Sequence, residues 1–296
     1  MLVEKKGLFA SSLELFSSRK EIAFAATWTT SLATIMAGRG FPPIAPSLIS
    51  IIAALMLTMS VYIYNDIVDR DMDAYSKKDK KKGRPIAHGK VSVTNAMRFV
   101  YITGIIGLSC CLILGRLVFI IGSTYFLLLV LYSHPIVRFK KIYILKNLVT
   151  AIVPASAFLI STIAIENTIT LRTSLLAFAY FVLMFAIVPA IADMLDYEED
   201  MAFNIKTIGN TISWKNTLIL FNIGVVVVIA SSAIASLLFN SSYIVFYGTS
   251  AFCILIMAYS FKLRNESGLT ASQKLRPFGF GLAVLVPLFW TLGALF

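Results

Sequence analysis

Long, uncharged apolar stretches of about twenty residues recur along nearly the whole chain, and they constrain its fold more than any other feature. About twenty apolar residues is the length a helix needs to cross bilayer hydrocarbon. Irregular backbone facing lipid would leave its amides unpaired, so stretches of this kind must be helical. Nine spans can be placed, at about 22–41, 46–66, 95–115, 117–133, 146–165, 173–195, 214–238, 242–261 and 278–296. Two of the boundaries divide continuous apolar regions, at Gly115-Arg116 and at Asn240-Ser241-Ser242, where a turn fits. Only 14% of the residues are charged, against about a quarter in a soluble domain. The expectation is an all-α integral membrane protein.

The basic residues orient the spans. Of the 26 Lys and Arg residues, 23 fall on the side that holds the N-terminus, and only Arg39, Arg116 and Arg172 fall opposite. By the positive-inside rule the N-terminus is cytoplasmic, and nine spans place the C-terminus outside. The net charge of +11 is then mostly a topology signal, with a secondary attraction for anionic lipid head groups. Nucleic-acid binding is not expected, because these residues sit in short loops with few aromatics. No cleavable signal peptide is expected ahead of the first span.

The acids are distributed quite differently. Ten of the 15 lie in two short segments, Asp66 to Asp79 and Asp193 to Asp200. Both carry an acid followed by others at +3 and +7: Asp66, Asp69, Asp73 and Asp193, Asp196, Asp200. On a continuous helix that spacing lines one face, so each segment is expected to present a column of three carboxylates. Each column ends an even-numbered span, which puts the two at the same cytoplasmic depth. Their separation of 127 residues hints at one domain, 1–296, built of related halves near 20–140 and 145–296.

Like charges three and four residues apart destabilise a helix, so the columns need a counter-charge. They could be ordinary solvated caps. Their matched spacing at the membrane boundary instead favours a hard divalent cation such as Mg²⁺, which binds through one or two carboxylates and a substrate's phosphates. Basic residues lie close by: the lysine run at 77–82, Arg84 before Pro85 and near Gly89, Arg138, Lys140, Lys141, Lys146 and Lys206. Acids for a metal and cations for phosphate oxygens together suit a diphosphate. Arg84, in the more constrained turn, is the stronger candidate ligand. Cys110, Cys111 and Cys253 lie in apolar stretches and read as small hydrophobes.

Asn65-Asp66-x-x-Asp69-x-x-x-Asp73, then Arg84-Pro85-Ile86 and Gly89, then Asp193-x-x-Asp196-x-x-x-Asp200 resemble the UbiA superfamily of intramembrane prenyltransferases. The resemblance implies nine transmembrane helices around a central cavity, with the aspartate motifs facing each other and Mg²⁺ bridging them to an isoprenyl diphosphate, geranylgeranyl or similar. It assigns the six aspartates to catalysis and metal binding, and Asn65, of the first motif, to the diphosphate. It places Lys206 on the diphosphate as well, and matches Tyr132 and Asn147, as contacts of the carbocation or acceptor, to the loop after the fourth span and the start of the fifth. The lysine that usually follows that tyrosine is displaced here by Ser133 to Arg138, leaving Arg138 or Lys140 for its role. The acceptor is unidentified, and no protein partner is implied.

The chemistry is coherent independently of kinship. Metal and basic side chains stabilise a departing diphosphate, and an apolar wall keeps water from the allylic cation left behind. Tyr62 or Tyr132 could turn a ring face toward that cation, although core packing is the commoner role of such a ring. The alternative of a different class is an ion-coupled transporter, whose acids would lie near the bilayer midplane. A phosphotransferase acting on lipid head groups would concentrate its acids in one cluster.

Overall fold

The structure, a computed structural model, describes residues 7–75, 83–238 and 242–295, with the side chains of Tyr143 and Glu199 outside the description. The lysine run at 77–82, Asp79 and the Asn240-Ser241 turn therefore lie outside the described residues. All regular structure among the described residues is helical.

Among the described residues eight helices are long and apolar enough to cross a membrane, so the chain is a multi-pass membrane protein. They are α3 (Ile44–Val68), α5 (Val93–Ile113), α6 (Arg116–Ser133), α7 (Tyr143–Glu166), α12 (Trp214–Leu238), α13 (Ile244–Lys262), α14 (Gly268–Leu295) and a composite rod. That rod joins α8 (Leu171–Val182), a π-helical turn (Leu183–Ile187) and α9 (Val188–Leu195). The expected first span is α2 (Lys20–Ala37), an 18-residue helix that is less apolar than the eight because Lys20, Glu21, four threonines and a serine interrupt it. Short helices complete the chain: α1 (Leu8–Ser18), α4 (Arg70–Tyr75), α10 (Tyr197–Ala202) and α11 (Ile208–Thr211).

The expected boundaries shift by a few residues, except in the last span. It begins at Gly268 rather than near 278, because Ser267 caps it by accepting from the Thr270 N–H at 3.2 Å. Lys274 is then held over the first turns by Glu266, at 2.6 and 2.8 Å. At the split between α5 and α6, Gly115 takes φ +120°, a conformation few other residues adopt.

The helices form a ring, each packed on the next, and α14 closes it against α2. The closure is polar: the Trp28 indole N–H donates to the Val284 carbonyl at 3.2 Å, and the Thr291 hydroxyl donates to the Leu32 carbonyl at 3.2 Å. α7 touches α2, α3, α6 and α8, so it belongs to two of the three apolar clusters found among the described residues. One of these two gathers Leu57, Tyr125 and Ile160 and the second Phe158, Tyr180 and Trp290, while the third gathers Leu15, Met59, Ile63 and Phe99. Outward faces carry Ile105, Ile113, Leu127, Ile219 and Leu255, as lipid contact requires.

Between helices in lipid, the hydrophobic effect is weak and close backbone approach takes over. Gly107 of α5 illustrates this, since a Cβ there would lie 3.0 Å from the Leu57 backbone nitrogen and closer still to the Leu57 side chain. Gly107→Val is expected to push α5 from α3 and lower stability by about 1–3 kcal/mol, the usual cost of overpacking. Thermal unfolding in mild detergent measures this, and an unchanged midpoint would mean that the two helices do not meet there.

Candidate active site

Both acidic motifs fold in the same way, and neither as the single continuous helix that the spacing predicts. α3 stops at Val68 and α4 starts at Arg70, leaving Asp69 at φ −96°, ψ 8°. α9 stops at Leu195 and α10 starts at Tyr197, leaving Asp196 at φ −98°, ψ 4°. This is the sparsely occupied bridge region in which active-site residues recur. Helical hydrogen bonding carries across each break, from Asp69 N to Asn65 O and Asp73 N to Asp69 O, and from Asp196 N to Ala192 O and Asp200 N to Asp196 O.

The break divides each column. Asp69, Asp73, Asp196 and Asp200 line a cavity of about 380 Å³, whereas Asp66 and Asp193 do not. Asp66 is turned to two guanidinium groups. Arg19 Nε donates to its Oδ2 at 2.9 Å, and both Arg19 Nη2 and Arg84 Nη1 pair with its Oδ1. Asp193 accepts from Lys146 Nζ at 2.8 Å and from the Ile208 N–H at 3.0 Å. α11 lies so close here that a Cβ on Gly209 would stand 2.6 Å from the Asp193 carbonyl oxygen.

Five of the six acids are buried, and buried charge must be paired. Lys140, itself buried, pairs with Asp69, and Arg138 Nη2 lies 3.7 Å from the same carboxylate. Burial pulls the Lys140 ammonium below the ordinary lysine value, and the Asp69 charge opposes that shift. Lys146 also comes within 3.7 Å of Asp200. Of the two side chains open for the displaced lysine's role, Lys140 lines the cavity and Arg138 does not. Asn65 lines it with its Oδ1 held by the Ser133 hydroxyl at 2.7 Å. Tyr62, Tyr132 and Arg84 line it too. Lys206 is exposed and outside the lining. Asn147 is buried behind it, its Oδ1 without a hydrogen-bond partner among the described residues.

Sequence reasoning missed Arg19 and Lys146 as partners of the first aspartates. Arg19 occupies the joint between α1 and α2, 47 residues before Asp66, and stacks 5.3 Å over the Tyr62 ring. In the sequence it is one more basic residue ahead of a span, and nothing marks it otherwise.

The lining thus carries four carboxylates and four cations, Arg19, Arg84, Lys140 and Lys146. Below them the walls turn apolar, with Ile22, Ala25, Ala26, Val61, Leu129, Val153, Pro154, Ala157, Met184 and Ala283. All-oxygen acidic donors are the set a hard divalent cation selects. No three of the described carboxylates converge on one point as they stand, because Arg and Lys side chains occupy the space between. Mg²⁺ needs only one or two carboxylates when phosphate supplies other ligands, so the residues fit it.

Because two guanidiniums share Asp66, removing one leaves the carboxylate paired. Arg19→Met or Arg84→Met alone is expected to cost about 1–2 kcal/mol, and the double variant more than their sum, because it strands a buried charge worth about 3–5 kcal/mol. Unfolding of the four proteins in detergent tests this, and simple additivity would overturn the shared clamp.

The sequence profile of the UbiA prenyltransferase family matches residues 26–292. A 4-hydroxybenzoate octaprenyltransferase of Shewanella sp. (strain ANA-3) is 30% identical over 105 residues, 36% of each chain. The chain therefore aligns with little more than a third of the length of that curated relative. The fold is similar to that of a digeranylgeranylglyceryl phosphate synthase, with a TM-score of 0.79, 21% identity and coverage of 97% of this chain and 99% of that one. It is also similar to a UbiA homologue from Archaeoglobus fulgidus bound to GPP and Mg²⁺, with a TM-score of 0.76, 15% identity and coverage of 96% and 99%. With its two aspartate motifs meeting in one cavity, the chain belongs to the UbiA prenyltransferase family.

Proposed function

We propose that this protein transfers an isoprenyl group from an isoprenyl diphosphate to a lipophilic or aromatic acceptor, with a divalent cation, Mg²⁺, as cofactor. The observation that carries the reading is one cavity with four carboxylates and four cations at its mouth and apolar walls beneath. A diphosphate divides itself between such groups, and a prenyl tail needs such walls. The relatives bear on each part: the Archaeoglobus fulgidus homologue was solved with GPP and Mg²⁺, and the Shewanella relative is named for octaprenyl transfer to 4-hydroxybenzoate.

The chain's residues would act as follows. Arg84, Lys140 and Lys146 hold diphosphate oxygens, with Arg19 beside them. Asp69, Asp73, Asp196 and Asp200 hold the cation, whose Lewis acidity stabilises charge on the leaving diphosphate. The allylic C–O bond breaks with its electron pair leaving on the diphosphate. The carbon cation is then taken by a nucleophilic carbon or oxygen of the acceptor, which gives up its proton. Tyr62 and Tyr132 line the space beside that cation, and Asp66 and Asp193 hold the two motifs in place from behind. Arg138 and Lys206 are the less direct diphosphate ligands, given their positions outside the lining.

The site is assigned to the cytoplasmic face, with α2 as a ninth crossing and the N-terminus inside. The bias of 23 of 26 basic residues supports this orientation. So does the length of α2: 18 residues rise about 27 Å, close to the hydrocarbon thickness. The matching breaks at Asp69 and Asp196 favour a single domain of two related halves.

Purified protein in detergent, given labelled geranylgeranyl diphosphate with Mg²⁺ and either 4-hydroxybenzoate or geranylgeranylglyceryl phosphate, is expected to form a prenylated product. EDTA should abolish it, and Asp69→Asn or Asp196→Asn should each slow it by roughly 100-fold or more, as losing one electrostatic stabiliser does. Folded protein that neither binds a prenyl diphosphate nor releases diphosphate from one would sink the reading.

A further inference from the structure

The lower end of the cavity is built with unusual consistency. On α2 the lining runs from Arg19 to Thr29, on α3 from Asp69 up to Thr58, and on α7 from Lys146 to Ala157. Each wall covers eleven or twelve residues, ten or eleven steps of the helical rise, which is about 15–17 Å. Three helices of different sequence therefore stop lining the cavity at one depth.

At that depth stand two hydrogen-bonded threonine–tyrosine pairs. Thr29 of α2 and Tyr180 of α8 share a hydrogen bond of 2.9 Å, and Thr58 of α3 and Tyr125 of α6 share one of 2.7 Å. All four residues are buried. Each pair gives both hydroxyls a hydrogen-bond partner, which lowers the cost of burying them and their pull on water. Tyr180 is fixed further: Phe158 and Trp290 stand against its ring, each with centroids 6.5 Å away, and the Trp290 indole N–H is anchored on Ser232 at 3.0 Å. Tyr180 and Thr29 themselves line the cavity, with Met184 and Ala283 just beside them. A rotamer that cleared the way would have to break a buried hydrogen bond and displace two packed aromatic rings.

We propose that the Thr29–Tyr180 pair is a rigid floor that sets the greatest length of prenyl chain the chamber takes below the diphosphate site, so that it is a specificity element for the donor. The inference rests on the prenyl-transfer reading and adds to it the residues that select chain length. In a membrane or micelle the tail is already in an apolar medium, so added length brings little hydrophobic gain inside the chamber. Selection comes from steric refusal, and a hydrophobic pocket penalises one methylene too many by roughly tenfold or more.

The test is direct binding of geranyl, farnesyl, geranylgeranyl and geranylfarnesyl diphosphates with Mg²⁺ to the full chain in detergent, by isothermal titration calorimetry. The native protein is expected to show a break, with affinity falling about tenfold or more beyond one chain length. Tyr180→Ala removes the ring and should move the break to a donor at least one isoprene unit longer. Tyr180→Phe keeps the ring and should leave the break in place. Ala26→Phe, one helical turn above Thr29, should move it to a shorter donor, and decides the matter alone if Tyr180→Ala does not fold. Binding without a length break, or a break that neither Tyr180→Ala nor Ala26→Phe moves, would overturn the floor and leave prenyl transfer standing. Binding of no prenyl diphosphate by folded protein would sink the prenyl-transfer reading and the floor with it.

Discussion

A carboxylate taken out of water must keep a counter-charge, and the site end of this molecule is organised around that requirement. Asp66, Asp69 and Asp193 are each almost wholly inaccessible, and each is met by a cation from a different part of the chain. Arg19 brings the α1–α2 joint, Arg84 the turn ahead of Gly89, Lys140 the turn Phe139–Lys141, and Lys146 the first turn of α7. Four separate segments are thereby drawn over one cavity. Two charges about 4 Å apart attract by about 4 kcal/mol at an intermediate dielectric, while desolvating each ion costs several. Such pairs therefore add little net stability but are costly to break singly. Pairs of that kind can be exchanged. Lys140 and Asp69, which both line the cavity, are the pair placed for such an exchange: a diphosphate with its cation would offer each a new partner at once, whereas Asp66 and Asp193, outside the lining, depend on the cations they already have.

The apolar half of the cavity follows the opposite rule. Where the mouth needs charges in balance, the chamber is better the fewer unpaired polar atoms it holds, since an allylic cation is lost to ordered water. Its threonines are closed on tyrosine hydroxyls or on backbone. Thr150 donates to the Lys146 and Asn147 carbonyls at 3.0 Å, and Thr29 and Thr58 to or from tyrosines. Proline adds shape without a donor: Pro154 lines the wall of α7, and Pro189 follows the π-helical turn that carries Met184 to the wall.

Much of this was legible in the sequence, for reasons that differ by element. Apolar spans can be read because lipid imposes one length and one polarity on every helix. The aspartates can be read because repeated charge at a membrane boundary has few structural uses. Arg19 could not be found, because what distinguishes it is a partner 47 residues away. Gly209 was equally hidden, since its role is contact with the Asp193 backbone across a turn that no spacing reveals. The tyrosine–threonine pairs are ordinary helix residues until tertiary packing brings Tyr180 to Thr29. α2 was placed as a span by its apolar run, but Lys20, Glu21, four threonines and a serine make it the least apolar of the crossing candidates.

The break at the middle aspartate reconciles the two readings of the acidic motifs. A straight helix would stack three carboxylates on one face and set them against each other. Pinching Asp69 and Asp196 to nearly the same dihedral angles turns the first acid of each motif away from the cavity and leaves the second and third in its wall. Asp66 and Asp193 are tied instead to guanidinium, ammonium and backbone N–H groups. The four that remain face one another across a space rather than along a rod. The +3 and +7 spacing encodes this division only when the helix yields at its middle residue, and it does so identically in both motifs.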